Sequence, residues 1–105
     1  MKENYLISAF RETAHKQFPA KETALNAAVE KRLQALRRDN ADASPEKQWH
    51  LENQIMPGIA VYETLQKVMP KEQALQTVHG YVERRALKLK KLFLKLMRLP
   101  GFYKR

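Results

Sequence analysis

The chain has no cysteine. That excludes disulfides, thiolate-held zinc and cysteine nucleophiles, and makes a reducing cytoplasm the expected setting. No stretch approaches the 18 or so consecutive apolar residues that cross a bilayer, and Met1–Phe10 is too polar to read as a secretory leader. A soluble protein is expected. Alternating strand patterns, internal repeats and low-complexity segments are all missing, so a β-sheet or a solenoid is not expected. Acidic residues stop at Glu83.

What is present fits one helical domain spanning 1–105. Such a length buries roughly 60–70% of its extended surface. The net charge is +9, but it is placed unevenly. From Met1 to Glu83 there are 11 Lys/Arg and 11 Asp/Glu; from Arg84 to Arg105 there are nine basic residues and no acid. The basic character belongs to a C-terminal extension, 84–105, and not to the domain as a whole.

Apolar spacing predicts an all-α fold, a four-helix bundle or open helical array with helices at about 4–18, 20–38, 45–69 and 71–98. In the first helix Leu6, Phe10, Ala14 and Phe18 recur every four residues. In the second, Leu25, Ala28, Val29, Leu33 and Leu36 share a face. Residues 38–44 read as a loop, and Ser44-Pro45-Glu46 as a helix start: a capping hydroxyl, a first-turn proline and an acid at the positive helix end. The third helix carries Leu51, Ile55, Ile59, Tyr62, Leu65 and Met69 along one predicted stripe. Pro57-Gly58 interrupts it. A proline inside a helix costs roughly 3 kcal/mol, so a useful kink or a close backbone approach at Gly58 is expected there.

The fourth helix is the longest. On a helical wheel Ala74, Leu75, Val78, Tyr81, Val82, Leu89, Leu92, Phe93, Leu96 and Leu99 face one way, and Arg84, Lys88, Lys91, Lys95 and Arg98 the other. Arg85 falls inside the apolar stripe, which predicts a carboxylate partner such as Glu52 or Glu63. At 1.5 Å per residue the fourth helix is about 40 Å long and the first about 22 Å. Its far end, 87–99, is therefore expected to overhang the bundle and to be covered by a homo-oligomer contact or a partner chain. The interaction surface so predicted comprises Arg84, Lys88, Lys91, Leu92, Phe93, Lys95, Leu96 and Arg98. A membrane surface or a nucleic acid is the less favoured occupant: the lysine-rich face suits the first, whereas no helix-turn-helix spacing supports the second.

Candidate chemical groups are few. His50 and Glu63 are the catalytic candidates, and Pro57, Gly58 and Tyr62 the substrate-binding ones. Glu52 and Glu63 stand about 16 Å apart along their helix, too far to act as a carboxylate pair. The ordinary readings stand beside these: His50 as a polar residue near a helix start, Glu63 as half of an ion pair, Tyr62 as a core ring with its hydroxyl at the rim. His15, His50 and His79 lie on three different helices, and no pair has the i, i+4 spacing of metal ligands. Neither a metal nor a cofactor is expected.

Several short motifs carry a resemblance. Ile55-Met56-Pro57, Val61-Tyr62-Glu63-Thr64-Leu65, Lys71-Glu72-Gln73-Ala74 and Leu99-Pro100 are similar, in order, to the N-terminal part of the L-2-amino-thiazoline-4-carboxylic acid hydrolase family. The similarity covers about residues 45–105. It implies a helical portion of a hydrolase that opens a cyclic amidine ring with water, with a pocket around Pro57 and Tyr62. Family members continue into a half that contains cysteines, and that half would supply catalytic groups, so the chain alone is expected to be inactive. The alternative is a small non-enzymatic module that binds itself, a protein or an anionic surface through its basic amphipathic helix.

Overall fold

Helices account for almost all of the backbone in the computed structural model, which describes residues 3–97; the side chains of Phe93, Leu96 and Met97 fall outside that description. Helix α1 is Tyr5–Gln17, α2 is Glu22–Asp39, α3 is Pro45–His50, α4 is Met56–Leu65 and α5 is Lys71–Met97. A 3₁₀ turn, Pro19–Lys21, leads into α2, and a π turn, Leu51–Ile55, joins α3 to α4. The fold is all-α, with no strand among the described residues.

The first two helices follow the spacing of their apolar residues. Leu6, Phe10 and Ala14 of α1 are buried, as are Leu25, Val29, Leu33 and Leu36 of α2. Phe18 packs against the same core at its edge. Ser44 caps α3 by accepting a hydrogen bond from the Lys47 amide, and Pro45 occupies the first turn. The second helix reaches Asp39, one residue past its expected end at 38, and Asn40 closes it by donating from its side chain to the Leu36 carbonyl at 2.8 Å.

The central helix departs from the simple stripe. It ends at Leu65 instead of 69, with Gln66–Met69 forming a turn. Ile55 and Ile59 are exposed, at 48% and 37%, while Met56, Pro57, Ala60, Val61, Thr64 and Leu65 are buried. The cause is the π turn, in which the Met56 amide bonds to the Leu51 carbonyl, five residues back. One extra residue per turn rotates everything after it by about 100°. The inward face therefore moves from 55 and 59 to 56 and 60.

The same turn accommodates Pro57. Its ring is fully buried, and its nitrogen cannot serve the Asn53 carbonyl four residues back. That carbonyl instead accepts a 2.8 Å hydrogen bond from the Asn4 side-chain amide. Asn4 is also the N-cap of α1, its Oδ1 accepting from the Leu6 amide at 2.8 Å. One side chain thus closes two open backbone positions, one on each helix. Gly58 is not required by crowding: a Cβ there would meet Leu6 Cδ1 at 3.9 Å, an ordinary contact.

Helix α2 packs most extensively against α4, and α1 touches α2, α4 and α5. Helix α5 joins this core through Ala74 and Tyr81, with Val78 packed beside them. Leu75, from the predicted stripe, points outward at 53% exposure. Gly80 lies in mid-helix with nothing within 4 Å of the Cβ it lacks.

Two substitutions separate these roles. Asn4→Ala should cost about 1–2 kcal/mol, the sum of a lost cap and an unserved carbonyl. Gly58→Ala should stabilise the chain by up to about 1 kcal/mol through helix propensity. Urea unfolding followed by circular dichroism measures both. A neutral Asn4→Ala would refute the bridge, and a destabilising Gly58→Ala would restore a close-approach role for the glycine.

Candidate functional site

Two surfaces merit a functional reading: a groove beside the π turn and the free half of α5. The groove forms where the start of α1, the π turn and the middle of α5 fail to close on one another. It encloses about 1000 Å³ and is lined by Tyr5, Trp49, Glu52, Asn53, Gly58 and Arg85, among others. Its charged groups are already engaged. Arg85 stacks its guanidinium over the Tyr5 ring, 5.4 Å from the centroid, and Glu52 accepts from Arg37 Nε at 3.1 Å. The expected carboxylate partner of Arg85 is thus replaced by an aromatic face, because Glu52 is held by Arg37 and Glu63 by Arg32 at 2.8 Å.

The structure does not gather the predicted catalytic and substrate residues into one site. Gly58 lines the large groove; Pro57 lines a neighbouring cleft of about 300 Å³ with Glu3, Asn4, Glu30 and Glu52. His50 is exposed and belongs to a third cleft, about 440 Å³, with Asp39, Asp42 and Lys47. Tyr62 is half-buried against the core, and Glu63 is exposed in its ion pair. Among the described residues no group of three or more His, Asp or Glu side chains comes together as a metal site.

The free half of α5 has a different character. Tyr81 is the last buried residue of the helix among those described. From Val82 to Leu92, and at Leu94 and Lys95, every residue is exposed. Leu87 and Leu89 stand at 52%, Leu92 at 55% and Leu94 at 46%. Of the predicted interaction surface, Arg84, Lys88, Lys91, Leu92 and Lys95 lie on this rod in the open; the side chains of Phe93 and Leu96, and Arg98 altogether, lie outside the described residues. Among the described residues no helix is long and apolar enough to cross a membrane.

The root of the rod is fixed by a contact that apolar spacing alone does not reveal. The Tyr81 and Thr13 hydroxyls are hydrogen-bonded inside the α1–α5 contact, and Thr13 also donates to the Ala9 carbonyl at 3.1 Å. Thr13 sits at a core position of α1, three residues past Phe10, so a buried polar residue on an apolar stripe was the available signal. Arg84, one residue-turn along, covers the Tyr81 ring at 5.5 Å. Burial pushes the Tyr81 hydroxyl above its ordinary pKa, although its bond to Thr13 and the charge of Arg84 act the other way. Nearby, Glu12 is held below the usual carboxylate range by its hydrogen bond from Lys16 and that residue's charge.

No family model, curated protein or solved structure matches the chain.

Tyr81 makes a pH prediction. Its folded pKa lies above the unfolded value near 10. Its contribution to stability is therefore complete below about pH 10 and is lost as pH rises through the folded pKa. Tyr81→Phe should cost roughly 1 kcal/mol at neutral pH, by leaving Thr13 short of a partner. It should also remove part of the alkaline loss of stability. Urea midpoints of the two proteins at neutral pH and above pH 10 measure the difference, and parallel pH profiles would contradict the latch.

Proposed function

We propose that this chain is a small non-enzymatic helical module that attaches to another surface through the free half of α5. The single observation behind this reading is the row of leucines, Leu87, Leu89, Leu92 and Leu94, each roughly half-exposed on a helix that has left the core. Burying apolar area releases about 25 cal/mol per Å², so a rod of this kind gains by finding a cover. The other helices are too short to provide one, since the longest of them, α2, has 18 residues against 27 in α5. Attachment by self-association or to a partner uses the same side chains.

A hydrolase-like reading has one observation in its favour, the groove beside Gly58. Against it, Glu52 and Glu63 are engaged by arginines, and His50 opens onto a different cleft. In this reading the chain contributes part of a substrate pocket and takes its catalytic groups from elsewhere. Incubation with 2-amino-thiazoline-4-carboxylate should then give no ring opening by the chain alone. Turnover abolished by Glu52→Gln or His50→Gln would reverse the preference between the two readings.

The module reading is tested on the leucines. The double variant Leu89→Asp/Leu92→Asp removes no core contact, so its unfolding free energy should stay within about 0.5 kcal/mol of the parent. The parent should bind a hydrophobic dye in its native state, or sediment as more than a monomer at micromolar concentration; the variant should do neither. A monomeric parent whose weak dye signal survives the substitutions would refute attachment through α5.

A further inference from the structure

We propose that the surface on which α5 docks is an anionic lipid bilayer, with residues 84–95 lying flat in the headgroup region as an interfacial helix. The inference deepens the module reading and rests on it. Three features of the rod carry it: its charge, the breadth of its apolar arc and its freedom from the body.

The charge is of one sign. Arg84, Arg85, Lys88, Lys90, Lys91 and Lys95 occur with no carboxylate among them. The nearest acids belong to the root. Glu83 immediately precedes the cations, Glu12 of α1 is taken by Lys16 at 3.0 Å, and Glu3, which lines a cleft with Arg84, Arg85 and Lys88, is taken by Arg11 at 2.9 Å. Beyond Lys88 the rod therefore presents an uncompensated positive field, which an anionic leaflet attracts.

The apolar arc is unusually wide. At 100° per residue, Arg84, Lys88, Lys91 and Lys95 occupy an arc of about 60°. Leu92 and Leu89 lie on one side of it, and Leu94 and Leu87 on the other beyond Lys90, so the exposed apolar positions extend over about 220°. A protein groove takes a narrower stripe, read at i, i+3, i+4 and i+7. It would leave Leu87 and Leu94 in water. Nucleic acids use cations and hydrogen bonds to phosphate and have no use for the leucines. A second copy would bring two sets of six cations together across helix diameters of about 10 Å, comparable to the screening length in physiological salt. A lipid interface accepts a broad apolar face and offers opposite charge at its rim. Lys90, which falls within the apolar arc, has a stem long enough to carry its charge up to the headgroups, while Arg85 stays over the Tyr5 ring at the root.

The base of the rod borders α1, where Arg84, Arg85 and Lys88 line a cleft with Tyr5, Ser8 and Glu12; its leucines lie clear of the body. All described side chains from Val82 onward are exposed. The 12 residues 84–95 form a rod about 18 Å long, enough for just over three turns in the plane of the interface.

The test uses the full chain and vesicles of phosphatidylcholine, with and without phosphatidylglycerol. Since Trp49 lines the groove at the root of the rod and would report on that region too, the probe is Leu92→Trp in a Trp49→Phe background. Expected results are co-sedimentation with the anionic vesicles only, and a blue shift of the new tryptophan on binding. The charge reversal Lys88→Glu/Lys91→Glu/Lys95→Glu should weaken binding by roughly a hundredfold or more, and Leu89→Asp/Leu92→Asp should abolish it. Circular dichroism establishes that each variant is folded. Absence of binding to anionic vesicles, or binding unchanged by the charge reversal, overturns the lipid inference. So does binding to duplex DNA that ignores the leucine substitutions. If vesicles fail but the parent self-associates through Leu89 and Leu92, the lipid inference falls and the module reading stands. If neither occurs, both fall.

Discussion

The fold depends on how one helix carries a proline through the centre of the core. Pro57 has no amide to give the Asn53 carbonyl, and an ordinary helix would suffer both the missing bond and a clash. Here the backbone widens to a π turn just before the proline, and Asn4 supplies the missing donor from another helix at 2.8 Å. Because Asn4 is at the same time the cap of α1, the accommodation of Pro57 also ties the start of α1 to the central helix; the docking of α1 is otherwise carried by Leu6, Ile7 and Phe10. The rotation caused by the π turn selects Met56, Ala60 and Thr64 for the interior. Without it Ile55 and Ile59 would face α1 and α2, and the present core would not assemble.

This constraint also marks where a reading of the sequence reached its limit. Apolar periodicity located α1 and α2 and their inward residues closely, since both are regular helices with one amphipathic stripe. It misjudged the central helix because periodicity assumes a constant 3.6 residues per turn, and a single wide turn breaks that assumption. The proline pointed to the place, but its resolution lay in a hydrogen bond between residues 49 positions apart. Arg85 shows a second kind of limit. A cation on an apolar stripe calls for a partner, yet whether that is a carboxylate or an aromatic face depends on which acids have already been claimed. The candidate site was less legible still. Pro57, Gly58 and His50 are close in sequence but open onto three different clefts, because neighbouring residues on a helix point in different directions. By contrast, the overhang of the last helix followed from length alone.

The body and the rod have opposite characters. In the body, cations and carboxylates balance in number, and several are paired: Arg11 with Glu30, Arg32 with Glu63, Arg37 with Glu52. These pairs are exposed and contribute little each, but they leave that part of the surface without a strong field. Among the described residues the rod's cations form no ion pair, and its leucines stand exposed. A surface partition of this kind suits a molecule with one adhesive end and one inert end. It also explains why the groove, whose charged groups are internally satisfied, makes a weaker claim to function than its size suggests.

Gly80 has a mechanical consequence. It stands one residue before Tyr81, where the helix leaves the core, and no packing accounts for the missing side chain. Glycine lowers helix stability by about 1 kcal/mol relative to alanine, so bending is cheapest there. Yet Tyr81, the next residue, is buried and bonded to Thr13 of α1, and Arg85 lies over the Tyr5 ring, so a bend at Gly80 would tear both contacts; whatever holds the far segment therefore holds the body and its groove at one inclination.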